Sequence, residues 1–204
     1  MATPPAGHAH AALKRQFVPG LYSSAGVNVA TALIPDDRLA ARVALVEEHI
    51  RLENAHDLDG VLRTFGNAAR YDDEAWGEHY EGPAGVRSFY EQLMKALPDL
   101  EITVQSRHVT DDAVVVEVVI RGTQLGPWRG LPPTGRHVEF PLCGVYTFDH
   151  NNRLAGERIY YDRATVLRQV GVFHEPQTVL GRIAILANHP LTIARALLRK
   201  LRRH

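Results

Sequence analysis

Arg158, Tyr160 and Asp162 stand two residues apart at the end of an apolar run. In a strand that spacing turns all three to one face and leaves Glu157, Ile159 and Tyr161 on the other. An aspartate placed there has two uses. It can cap a helix, since Ala164, Thr165, Val166 and Leu167 follow closely. Beside an apolar cavity it would instead be partly desolvated, and its carboxyl could take a proton from a carbon acid and return it. Arg158 lies about 13 Å from Asp162 by strand rise, too far for a direct pair. It is therefore either a solvated or structurally paired arginine or an anchor for an enolate oxygen. Tyr160, between them, can fill the strand or donate a hydrogen bond to that same oxygen.

A second chemical region is the run Tyr71-Asp72-Asp73-Glu74-Ala75-Trp76-Gly77-Glu78-His79-Tyr80. It reads as a solvated acidic loop or as a rim, in which Trp76 and Tyr80 close over a flat substrate and His79 assists proton transfer. The run Gly130-Leu131-Pro132-Pro133-Thr134-Gly135-Arg136 has the prolines and glycines of a turn and reads as a hairpin connection. Gln124, just before it, can donate or accept a hydrogen bond. The 11 histidines are scattered without a His-Glu-x-x-His pattern, so no metal site is expected. Phosphate-loop, Gly-x-Gly-x-x-Gly and Gly-x-Ser-x-Gly patterns are absent from the sequence, and no cofactor is expected. Cys143, the single cysteine, excludes an intrachain disulfide and reads as a small strand hydrophobe.

The elements that must hold these residues follow from periodicity. After Pro35, Asp36 and Asp37 offer an N-cap, and Leu39, Val43, Val46 and Ile50 recur at helical spacing. Asp57 caps a shorter helix with Leu58, Val61, Leu62 and Phe65 inward and Gly66 at its end. A third helix opens at Gly82-Pro83, carries Val86, Phe89, Tyr90, Leu93 and Leu97 on one stripe, and stops at Pro98. Residues 100–110, 113–124, 136–149 and 153–162 are rich in Val, Ile, Tyr, Phe and Thr, with Asp111-Asp112 and Asn151-Asn152 between runs, and predict long antiparallel strands. On the third of these, Val138, Phe140, Leu142, Gly144, Tyr146 and Phe148 share one nearly apolar face, suited equally to a pocket wall or to the core. Three helices followed by a strand meander define an α+β fold whose sheet buries one face on the helices.

The segments Arg121-Gly122-Thr123-Gln124-Leu125-Gly126, Gly130 to Arg136, and Asp162-Arg163-Ala164-Thr165-Val166-Leu167-Arg168-Gln169-Val170-Gly171 together resemble the SnoaL-like polyketide cyclase branch of the nuclear transport factor 2-like superfamily. The resemblance runs from about Asp36 to Gly171. It implies a cystatin-like roll, a cone-shaped curved antiparallel sheet with three N-terminal helices, whose mouth admits an apolar small-molecule ligand and whose outer sheet face serves a homodimer. It also implies that Asp162, seven residues before Gln169 and nine before Gly171, is the catalytic acid/base. The family usually carries a His in place of Gln124, so chemistry at that rim does not transfer directly. The expected activity is cofactor-independent cyclisation, of aldol type, or isomerisation of an apolar polyketide-like carbonyl compound. Arg158, Tyr160, Gln124, Trp76, His79, Phe140, Leu142 and Tyr146 would contact that substrate. A non-catalytic ligand-binding or assembly module is the competing reading, and a steroid isomerase-like enzyme the nearest catalytic variant.

At 204 residues, with 45% hydrophobic and 23% charged residues, the chain suits one soluble domain. Residues 1–35 read as a loosely ordered arm, 36–176 as the domain and 177–204 as an extension. The first twenty residues lack the pattern of a secretory signal, which predicts a cytoplasmic protein. All 23 acids fall between Asp36 and Glu175 against 15 basic residues in that stretch, while six basic residues and no acid follow Gln177. An acidic body offers no footprint for nucleic acid. From Leu191 the extension is a basic amphipathic helix, which can pack on its own domain, on a second subunit, or weakly on a membrane surface.

Overall fold

Val46 and Ile50, the last two residues of the first apolar stripe, are buried in helix α1 (Asp36–Asn54), and the Asp57 side chain caps α2 (Leu58–Thr64) by accepting from the Gly60 backbone N–H at 2.8 Å. A computed structural model describes residues 36–201, so the expected N-terminal arm, residues 1–35, lies outside the described residues. The remaining elements are β1 (Phe65–Asp73), β2 (Glu78–Glu81), α3 (Gly82–Ala96), β3 (Glu101–Val109), β4 (Ala113–Thr123), β5 (His137–Phe148), β6 (Leu154–Tyr161), α4 (Arg163–Gln169), α5 (Val179–Asn188) and α6 (Pro190–Leu201). The six strands form one sheet in the order β2-β1-β6-β5-β4-β3.

Three expectations are corrected. The sheet is mixed, not wholly antiparallel, because β1 runs parallel to β6 and pairs Tyr71 with Glu157 and Asp73 with Ile159. The three helices are not consecutive, because the acidic run read as a loop forms the hairpin β1–β2 between α2 and α3. Gly66 does not end α2 either: the chain passes straight from Thr64 into the strand at Phe65.

The four long strands form where Val, Ile, Phe and Tyr alternate, and β4 shows the consequence: Val114, Val116, Val118 and Ile120 are buried while Glu117 points outward. Pairing slips by a residue between Val104 and Ser106 in β3 and between Thr147 and Phe148 in β5, irregularities that bend a sheet around its contents. Val86, Phe89 and Tyr90 of α3 face that inner surface, and Phe89 stacks on Tyr71 of β1 at 3.7 Å between ring centroids. The core is thus a helix layer on the inner sheet face, with the rings of Phe65, Tyr90 and Tyr146 packed around His49 and Tyr71 against Phe89 and Tyr90.

Candidate functional site

A cavity opens between α3, the end of α1 and the inner sheet face, walled by Leu93, Leu100, Ile102, Val118, Ile120 and Phe140. Its polar residues gather at two places, Glu53 and Glu157 in one and Asp73, Arg129 and Tyr161 in the other.

The first group is built from three elements. His49 and Glu53 lie one turn apart on α1, Tyr90 comes from α3 and Glu157 from β6. His49 is fully buried, and Glu53 and Glu157 are each 4% exposed. The Thr64 hydroxyl donates to the Val61 carbonyl at 2.6 Å, so its oxygen is left to accept from His49 Nδ1–H at 2.8 Å. The Tyr90 hydroxyl donates to Glu157 Oε2 at 2.8 Å. His49 Nε2 lies 3.0 Å from the Tyr90 oxygen, 3.2 Å from Glu157 Oε2 and 3.7 Å from Glu53 Oε1, and acts as a second donor toward them. Burial alone would pull the imidazole down, but the charge of Glu53 and the hydrogen bond and charge of Glu157 outweigh it and hold His49 above its ordinary value. Burial pushes the Glu53 carboxyl up to about 7, against the attraction of His49 and with the repulsion of Glu157.

One ligand atom each from His49, Glu53 and Glu157 lies within 4.8 Å of the others, the spacing of a small cation site as well as of a proton-sharing group. The hydrogen bonds argue for proton sharing. The Tyr90 hydroxyl bridges two of the three ligand atoms, and both nitrogens of His49 have polar partners.

The second group is set by a turn. Gln124, fully buried, donates to the carbonyls of Gly126 and Pro132 at 3.1 and 3.0 Å and accepts from the Thr134 hydroxyl at 2.5 Å, stapling the loop before β5. Gly126 touches the end of α3 so closely that a Cβ there would overlap the Lys95 carbonyl, and its N–H donates to Ala96. The anchored loop turns through Arg129 (φ 52°) and carries its guanidinium to Asp73 Oδ2 at 2.7 Å and to Glu78 and Tyr80. Tyr161 donates to the same Asp73 oxygen at 3.1 Å. Burial raises the Asp73 carboxyl, although Arg129 and Tyr161 pull it back. Arg129 Nε is buried with no acceptor among the described residues.

The residues singled out in sequence divide sharply. Phe140, Leu142 and Tyr146 line the cavity. Asp162 does not face it: strand alternation puts it with Arg158 and Tyr160 on the outer face, where it is exposed and accepts from the N–H groups of Ala164 and Thr165 at 2.9 and 3.2 Å and from the Thr165 hydroxyl. Those bonds, led by Thr165, hold its carboxyl below the usual range. Tyr160 is 45% exposed, and Arg158 pairs with Asp72 and Glu74 at 3.5 and 3.3 Å. His79 is bound outside the cavity to Asp72 at 2.7 Å. Gln124 is a staple of the loop and not a rim donor. Trp76 does not line the cavity, and the Arg163 and Arg129 guanidinium groups lie 5.0 and 5.6 Å from its ring centroid. His49 and Glu53 were missed, although the signal was present: positions 46, 49, 50 and 53 share one helical stripe, so both polar residues stand where apolar ones belong.

The fold is one that small-molecule enzymes use. Residues 41–170 match the model of the family described as SnoaL-like polyketide cyclase, and the chain belongs to that family. Among solved structures, AclR from Streptomyces galilaeus, described as a candidate hydroxylase, is 25% identical with a TM-score of 0.61, covering 74% of this chain and 98% of that one. A candidate SnoaL-like polyketide cyclase from Jannaschia is 24% identical with a TM-score of 0.62, over 67% of this chain and 96% of its own. SalBIII, an epoxide hydrolase/cyclase-like enzyme of pyran ring formation in the polyether salinomycin, is 20% identical with a TM-score of 0.53, over 62% and 92%.

Proposed function

We propose that the chain is a cofactor-independent enzyme that moves a proton on an apolar, polyketide-like carbonyl compound held in the cavity, leading to ring closure or isomerisation. The observation that carries this reading is Glu53, a buried carboxyl at the cavity wall whose affinity for a proton is tuned to about 7. A base is most effective when its pKa lies near the working pH. Glu157 Oε2 is already engaged by Tyr90 and His49, whereas Glu53 Oε1 meets His49 only at 3.7 Å and lies at the cavity wall. In this mechanism Glu53 takes the proton next to the carbonyl and returns it to the product carbon, while His49, one turn away behind the cavity wall, supplies the nearby positive charge. The unpartnered Arg129 Nε is a donor available to an oxygen at the far end of the ligand. Membership of a cyclase family and likeness to an epoxide hydrolase/cyclase-like enzyme support ring chemistry as the outcome.

Deuterium wash-in tests proton abstraction without knowledge of the natural product. With 2-tetralone in D2O, the chain should speed exchange at the carbons next to the carbonyl, with a rate that rises as pH passes through about 7, and treatment with a chelator should leave that rate unchanged. Tight binding of the ketone with no exchange above buffer would make this a ligand-binding module. Loss of exchange on chelation would turn the His49 group into a metal centre.

A further inference from the structure

The helices α5 and α6 lie beyond residues 41–170, the span of the family match, and among the described elements pack chiefly on each other. Their start is fixed: the Thr178 hydroxyl donates to the Glu175 carbonyl at 2.8 Å and accepts from Gly181 N–H at 3.0 Å, and Gly181 sits so close to Glu175 that a Cβ would overlap its carbonyl. Beyond that anchor the pair shows its apolar side chains to the outside. Val179, Leu180, Ile183 and Leu186 of α5 are 73, 63, 57 and 55% exposed, and Leu191 and Leu198 of α6 are 71 and 55% exposed. In α5 these residues fall at i, i+1, i+4 and i+7, one stripe of a helix, and in α6 Leu191, Arg195 and Leu198 share another.

The charges are of one sign. From Gln177 to the end the sequence has six Lys and Arg and no Asp or Glu. Arg182, Arg195, Arg199 and Lys200 are exposed, and among the described residues none of them forms an ion pair. Exposed leucines interleaved with unpaired cations fit a surface that is anionic at its face and apolar just beneath it. No described helix is long and apolar enough to cross a membrane, so such contact would be peripheral.

We propose that the α5–α6 hairpin is a peripheral docking element for an anionic phospholipid surface. The cations meet the headgroups and the leucine stripes enter the acyl boundary. A second copy of the chain, whose body is acidic, is the competing occupant.

Sedimentation of the full chain with vesicles is the test. At low salt the chain should pellet with phosphatidylcholine vesicles containing 30% phosphatidylglycerol and stay in solution with pure phosphatidylcholine, and 0.5 M NaCl should weaken the binding at least about tenfold. Two full-length variants, Arg195→Glu with Arg199→Glu and Leu191→Asn with Leu198→Asn, should each weaken it by about the same factor. Equal partition onto anionic and neutral vesicles, or wild-type binding by the charge-reversal variant, overturns the proposal. A chain that ignores vesicles but changes from dimer to monomer on charge reversal, in sedimentation equilibrium, assigns the hairpin to a second copy instead.

Discussion

The two faces of β6 carry neighbouring residues to opposite fates. Glu157, Ile159 and Tyr161 reach the cavity, where Glu157 is held by a tyrosine and a histidine. Arg158, Tyr160 and, just past the strand, Asp162 face outward, where Asp162 satisfies the first N–H groups of α4. A carboxylate already bonded to a helix end and open to water has neither the raised proton affinity nor the substrate contact of a carbon-acid base. One step of alternation separates a cavity-lining carboxylate from a helix cap.

Activity should separate the faces most strongly. Glu53→Gln keeps the shape of the buried group but removes the base, so exchange on 2-tetralone should fall by roughly 10² to 10⁴, while Asp162→Asn should stay within about threefold of the parent. A large loss in the Asp162 variant would put the chemistry on the outer face. Next in size, His49→Ala leaves two buried carboxyls facing each other without their cation, and urea unfolding should show a loss of roughly 3–5 kcal/mol.

The pH dependence of stability comes from the same group. Glu53 rises from an ordinary 4.5 to about 7 on folding, so the native state holds the extra proton between those values. Its contribution is fully present below about 4.5 and is lost as pH rises through about 7, an effect on the order of 3 kcal/mol. Melting curves of Glu53→Gln should therefore fall less than those of the parent between pH 5 and pH 8. On the outer face, Asp162→Ala should cost about 1 kcal/mol through the lost cap, and Arg158→Ala less than about 0.5 kcal/mol.

The strands between 100 and 162 were legible because β-branched and aromatic residues alternate there without competing signals, and the observed limits differ by a residue or two. The hairpin β1–β2 was not. Asp72, Asp73, Glu74 and Glu78 are poor strand formers by composition, and what stabilises the pair is tertiary: Arg70 and His79 around Asp72, Arg129 against Asp73, and Phe89 beneath Tyr71. The parallel seam of β1 with β6 depends on that hairpin and was hidden with it. Alternation placed Phe140, Leu142 and Tyr146 on one apolar face but could not tell a pocket wall from the core, because that depends on what α1 and α3 leave uncovered. The buried group proposed for acid/base work was harder, because its members are 108 positions apart from His49 to Glu157 and only the fold makes them neighbours.

That group also joins four elements. His49 reaches from α1 to Thr64 at the end of α2, to Tyr90 on α3 and to Glu157 on the sheet. Leucines and valines tolerate a helix sliding along the surface beneath it, since one apolar contact replaces another. A set of directional bonds does not, because a slip of α1 by one turn, about 5.4 Å, would strand both ring nitrogens of His49. The buried histidine therefore acts as a vernier, reading the position of α1 to within a bond length. Any motion that loosens this helix would break the bonds of His49 and carry Glu53 out of the cavity wall in the same step.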